Sequence, residues 1–171
     1  MKPSAPRASS VRKASRVAPL VIAVMVFVGD QVTKAVVERS IPEHALITVV
    51  PGFFNFTNTK NPGIAFGLFS DSPAPWKTAL LIAISGALLL TVLGIMWRSR
   101  QLERWTALGL ALILGGALSN LFDRIRWGRV GDFLDFYFRG YHWPAFNLAD
   151  SAIVVGAGLL VCQMVFAEWG N

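Results

Sequence analysis

Long apolar runs constrain this chain more than any other feature. Ala79 to Trp97, Trp105 to Phe122 and Ser151 to Ala167 hold no charged residue. The first two are each long enough to cross a hydrocarbon core of about 30 Å at 1.5 Å per residue. A soluble domain carries about 25% charged residues, whereas this chain has 15% and is 54% hydrophobic. The sequence therefore reads as an integral membrane protein built as one bundle. Helices are expected at about 17–37, 76–97, 105–122 and 147–169, forming a single membrane domain over 17–169. The expected class is an all-α membrane protein with a small β/loop subdomain outside the bundle, made of segments 38–75 and 123–146.

The net charge of +6 does not point to nucleic acid, because the basic residues flank the apolar runs, a pattern of topology and lipid contact. Residues 1–16 carry Lys2, Arg7, Arg12, Lys13 and Arg16 without an acid, the composition of a disordered basic tail. Followed by Val17 to Gly29, this tail has the charged and apolar parts of a secretory signal. A small-residue cleavage site is missing, so a retained first helix is expected. The loop Arg98 to Arg104 is basic and hence cytoplasmic, which puts both termini inside. The last loop, Ile125 to Phe146, is then extracytoplasmic. Its Arg126, Arg129 and Arg139, with Arg124 just before it, run against the positive-inside tendency.

Leu46 to Thr57 mixes β-branched and aromatic residues around Pro51-Gly52, with Phe54 and Phe56 alternating, a strand pattern. Asn61-Pro62-Gly63 is a turn signal. Ile64 to Phe69 is too short to span and is expected to dip into the interface or lie over a site as a lid. The one cysteine, Cys162, falls mid-run and reads as a buried apolar packer. His44 and His142 lack metal-ligand spacing, so neither a metal nor a cofactor is expected.

Polar residues interrupt the apolar pattern at one level. Asp30 and Lys34 share a helix face at i, i+4 near the outer end of the first helix, Asp30 lying about 20 Å along the axis. Asn120, Asp123 and Arg124 stand at the outer end of the third helix, where a polar clamp between helices explains them as well as catalysis does. Asn147 and Asp150 open the fourth, in the arrangement of an N-cap with an acid three residues on. Ionisable groups at such depth are functional-site hypotheses. Asp132, in the preceding loop, can join Asp150 as a carboxylate pair sharing one proton, able to activate water and polarise a carbonyl. Asp135, three residues further, competes for the same role.

Five segments together resemble the bacterial lipoprotein signal peptidase (signal peptidase II) family. They are Asp30-Gln-Val-Thr-Lys34, Asn61-Pro-Gly-Ile-Ala-Phe66, Gly115-Gly-Ala-Leu-Ser-Asn-Leu-Phe-Asp-Arg124, Val130-Gly-Asp-Phe133 and Phe146-Asn-Leu-Ala-Asp-Ser151. They occur in the family's order and span nearly everything after the basic tail. The resemblance implies a four-helix aspartic endopeptidase of the bacterial inner membrane that cuts diacylglyceryl-modified prolipoproteins just before the lipidated cysteine. It maps the catalytic aspartates onto Asp132 and Asp150. Substrate-binding or supporting residues map onto Asp30, Lys34, Asn61, Gly63, Asn120, Asp123, Arg124 and Asn147. Implied partners are lipidated prolipoproteins, membrane phospholipid and the inhibitor globomycin, with a monomer expected. Gly131 and Ser119 depart from the family's pattern, which frequently has a branched apolar residue and Gly there.

The rival reading is a small proton-coupled carrier with Asp30, Asp123 and Asp150 on an ion path. It calls for polar residues on the inner side too, and the inner halves of these helices are almost wholly apolar. A serine or cysteine protease lacks a Ser–His or Cys–His pair at a common depth.

Overall fold

The computed structural model describes residues 17–63, 75–99 and 102–169. The basic tail and the Ile64–Phe69 segment expected as a lid lie outside these described residues. In chain order the elements are α1 (Val17–Ser40), β1 (Leu46–Val50), β2 (Phe54–Asn61), α2 (Pro75–Arg98), α3 (Arg104–Trp127), β3 (Val130–Phe138), β4 (Tyr141–His142) and α4 (Leu148–Trp169). All four helices are long and apolar enough to cross a membrane.

The third helix is the hub. Of its most apolar window 61% is buried, against 17% for each of the others. Small residues explain this: without a hydrophobic drive between helices in lipid, close backbone approach supplies the packing. A Cβ on Gly115 would sit 2.5 Å from the Ala23 carbonyl oxygen on α1, and one on Gly116 would sit 2.4 Å from the Ala149 carbonyl oxygen on α4. Gly109 and Gly156 meet in the same way further along α3 and α4. Outward-facing Val24, Met25, Leu90, Val154, Met164 and Phe166 are exposed, as lipid-facing side chains are.

Two sequence expectations change here. The third helix continues to Trp127 rather than stopping near Phe122, because Asp123-Arg124-Ile125-Arg126 can stay helical at an interface although they leave the apolar pattern. It ends at Gly128, whose φ of 69° supplies the left-handed cap and whose N–H bonds the Arg124 carbonyl at 3.0 Å. The region after it, within the expected β/loop subdomain, is the strand β3 followed by the two-residue β4. Cys162 is exposed rather than buried, since α4 turns that face away from α3.

The strands form one antiparallel sheet in the order β1-β2-β3-β4. It packs at the end of the bundle where α1 and α3 finish and α4 begins. Thr59 pairs with Asp132 just past an irregularity in the β2–β3 ladder, and Leu134 bridges Phe146 immediately before α4. The main-chain bonds Leu134 N–H to Phe146 O (2.8 Å) and Phe146 N–H to Leu134 O (3.1 Å) hold the start of α4 against the strand that carries Asp132.

Candidate active site

Asn147 is the hinge of the site. It caps α4: its Oδ1 accepts the Asp150 N–H at 2.9 Å, and Asp150 Oδ2 accepts the Asn147 N–H at 3.3 Å. This reciprocal pair is a capping box, with Asp in the position more often held by Glu or Gln. The remaining amide of Asn147, fully buried, donates to Asp132 Oδ1 at 2.7 Å. The cap that starts the helix thus also fixes the strand carboxylate. The capping and catalytic readings of Asn147 and Asp150 are therefore compatible in one geometry.

Each carboxylate has a further amide. Asn120 Nδ2 donates to Asp150 Oδ1 at 2.7 Å, and Asn61 Nδ2 donates to Asp132 Oδ2 at 3.0 Å. Asn61 is itself held by an Asx turn, its Oδ1 accepting the Gly63 N–H at 2.9 Å. That accounts for Gly63 in the motif and commits Asn61 to Asp132. Burial, together with the neighbouring Asp150 charge, raises the Asp132 pKa to about 7, against the opposing bonds from Asn61 and Asn147 and the charge of Lys34.

Beneath the pair lies a second layer. Lys34 Nζ reaches Asp30 Oδ2 and Asp123 Oδ2, both at 2.6 Å, and Asn120 Oδ1 at 3.1 Å, which uses all three ammonium protons. Asp30 is completely buried; its Oδ1 accepts the Ala149 N–H at 2.9 Å and its Oδ2 the Ser119 hydroxyl at 2.7 Å. It therefore pins the first turn of α4 to α1, where the helix dipole favours a negative charge. Gln31 Nε2 donates to Ser119 Oγ at 2.9 Å and Asp123 Oδ1 at 2.7 Å. The sequence reading singled out neither Gln31 nor Ser119 as a site residue. Ser119 stands four residues before Asp123, a spacing that puts both on one helix face and is the one signal available.

Asp132, Asp150, Asn61, Gly63 and Arg124 all line one cavity of about 820 Å³. Its other walls include the apolar side chains of Phe146, Ile153 and Val154. Arg124 donates to the Asn120 carbonyl at 3.3 Å, and among the described residues it forms no ion pair within 4 Å. Asp135 does not join the pair. Three residues along a strand reverse the side-chain direction, and Asp135 is bonded instead by Asn55 Nδ2 at 2.7 Å and paired with His142 Nδ1 at 2.8 Å. Asn55 is buried in that contact.

Comparisons with known proteins show the family of the chain. The family model described as Signal peptidase (SPase) II matches residues 22–166. A lipoprotein signal peptidase of Solibacter usitatus is 43% identical over 144 residues, covering 84% of this chain and 88% of that protein. One from Geobacter metallireducens is 41% identical over 155 residues, covering 90% and 93%. A solved structure titled as a bacterial membrane enzyme, determined by the in meso method at 2.3 Å, superposes with a TM-score of 0.83 at 28% identity, covering 95% of this chain and 96% of its own. A second with the same description at 1.9 Å gives 0.79 at 28% identity, covering 91% and 97%. These findings give the carrier reading no support. This chain belongs to the signal peptidase II family of membrane peptidases.

Proposed function

We propose that the protein is an aspartic endopeptidase that removes signal peptides from diacylglyceryl-modified prolipoproteins, cutting just before the lipidated cysteine. The observation that carries this reading is the opening of Asp132 and Asp150 into one cavity, each carboxylate accepting two hydrogen bonds from asparagines. One of the pair retains a proton. The ionised partner takes a proton from a water molecule as its oxygen attacks the scissile carbonyl carbon, while the protonated partner donates to the carbonyl oxygen. Collapse of the tetrahedral species breaks the C–N bond, with a carboxyl proton passing to the leaving amine. Base and acid roles belong to the pair as a unit.

The remaining residues support this chemistry. Asn61, Asn120 and Asn147 orient the carboxylates; Gly63 fixes Asn61; Asp30, Lys34 and Asp123 brace the helices beneath. Arg124, at the cavity wall, is the group available for carbonyl or lipid ester oxygens. The cavity's polar floor and apolar flank suit a peptide carrying acyl chains. The single chain holds both carboxylates, so a monomer suffices. The end of α2 at Arg98 and the start of α3 at Arg104 lie at the opposite end of the bundle from the site, and the basic residues there support cytoplasmic termini and an extracytoplasmic site in the bacterial inner membrane. A globomycin-type cyclic peptide would compete for the same cavity.

The test compares a diacylglyceryl-modified precursor with the same precursor unmodified, both incubated with purified protein in mixed micelles and analysed by mass spectrometry. The modified precursor should be cut on the N-terminal side of its lipidated cysteine, and the unmodified one cut at least about 100-fold more slowly. Equal cutting of both would contradict the substrate assignment.

A further inference from the structure

A second cleft, of about 300 Å³, lies beyond the β2–β3 pair from the carboxylates, between the ends of α1 and α3. Lys60, Arg126 and Arg129 line it, with Glu38 and Asp123 as its acids and Lys34 at its base. The cations are unequally satisfied. Lys34 is held by Asp30 and Asp123, both at 2.6 Å, and Lys60 is paired with Glu38. Among the described residues Arg129 has Glu43 at 3.7 Å, on a half-exposed pair. Arg126 has no carboxylate partner among the described residues; its guanidinium lies instead over the rings of Trp127 (4.9 Å) and Phe122 (5.8 Å). Aromatic faces hold a guanidinium in place without neutralising it. Burial and then the Arg129 charge lower the Lys60 pKa, with Asp123 opposing this and Lys34 adding to it.

Two further observations point outward to the membrane. Trp127 is 64% exposed at the polar end of a spanning helix, the position of an interfacial aromatic belt. Gly131 forms part of the wall, and its missing side chain keeps the cleft open: a Cβ there would lie 3.7 Å from Lys34 Cγ and 3.8 Å from Lys60 Nζ.

We propose that this cleft binds the phosphodiester of an anionic membrane phospholipid between Arg126, Arg129 and Lys60. A singly charged phosphodiester gives Arg126 the anionic partner it lacks and Arg129 a closer one, and guanidinium groups suit its paired oxygens. The arginines on this side of the bundle, which oppose the usual charge asymmetry of membrane proteins, then have a local purpose. The proposal rests on the membrane placement and not on the carboxylate chemistry.

Native mass spectrometry of the purified protein in detergent, titrated with phosphatidylglycerol or phosphatidylcholine of identical chains, tests it. The wild type should retain one phosphatidylglycerol at roughly tenfold lower lipid concentration than phosphatidylcholine. The Arg126→Gln/Arg129→Gln double variant and the Gly131→Val variant should each lose that preference, and Arg139→Gln, on the exposed hairpin, should keep it. Thermal unfolding of each variant reports whether it is folded. An unchanged preference in a folded double variant would overturn the proposal. Displacement of the lipid by millimolar inorganic phosphate would also overturn it, since the cleft would then be a free-phosphate site. Asp132→Asn should bind phosphatidylglycerol like wild type while losing cleavage, so this proposal and the peptidase reading can fail separately.

Discussion

Asp132 sits where a carboxylate resists ionisation, and its neighbours determine how strongly. Burial and the Asp150 charge raise its pKa to about 7, whereas the Asn61 and Asn147 donors favour the charged form. If the pair must share one proton, activity falls as pH rises through that value and Asp132 loses it. The alkaline limb of kcat/KM should therefore lie near pH 7. Replacing Asn61 by Ala removes a donor to the ionised form, so the limb should move to higher pH, with kcat lowered about tenfold or more. A limb that stayed in place or moved down would separate Asn61 from Asp132. One layer below, Lys34 pairs with two buried carboxylates. Removing one member of a buried charge group typically costs about 3–5 kcal/mol. Lys34→Met should thus lower the stability of the micelle-embedded protein by about 3 kcal/mol, read from chemical unfolding; a loss under about 1 kcal/mol would show the cluster to be dispensable.

At the level of elements, the site depends on how closely α3 lets α4 approach. Gly116 lies against the Ala149 carbonyl, one residue before Asp150, and a Cβ there meets that oxygen at 2.4 Å and Ile153 Cγ1 at 2.9 Å. Gly116→Ala must push the first turn of α4 away, carrying Asp150 and its cap with it. Cleavage should fall at least about tenfold, because sub-ångström misplacement of reacting groups is costly. Gly86 on α2 has open space where its Cβ would be, so Gly86→Ala should leave turnover unchanged and stabilise the helix slightly. Equal effects of the two, measured as cleavage rate, would show that α3–α4 spacing does not set the site. The helices were legible in the sequence because apolar runs of spanning length have few other interpretations. The strand carrying Asp132 was not. Along Val130–Phe138, Asp132 and Asp135 are buried alongside Val130 and Phe133 while Phe138 is exposed, so burial does not follow the usual alternation of apolar-in and polar-out.

For the whole molecule, the polar residues expected at one level do meet there: Asp30, Lys34, Asn120, Asp123, Asn147 and Asp150 form one connected network. Depth was readable because helix rise is fixed and topology alternates. Rotation about each helix axis was not, so Gln31 and Ser119 escaped notice although both bond across the α1–α3 interface. The choice between Asp132 and Asp135 also needed the fold, since only strand direction sends one into the cavity with Asp150 and the other to His142. The central claim is that Asp132 and Asp150 act together, and single-turnover cleavage of a lipidated precursor by Asp132→Asn, Asp150→Asn and Asp135→Asn tests it most directly. The first two should each lose at least about 1,000-fold in rate while remaining folded, and Asp135→Asn should stay within about tenfold of wild type. Turnover by either of the first two within about tenfold of wild type would contradict the account.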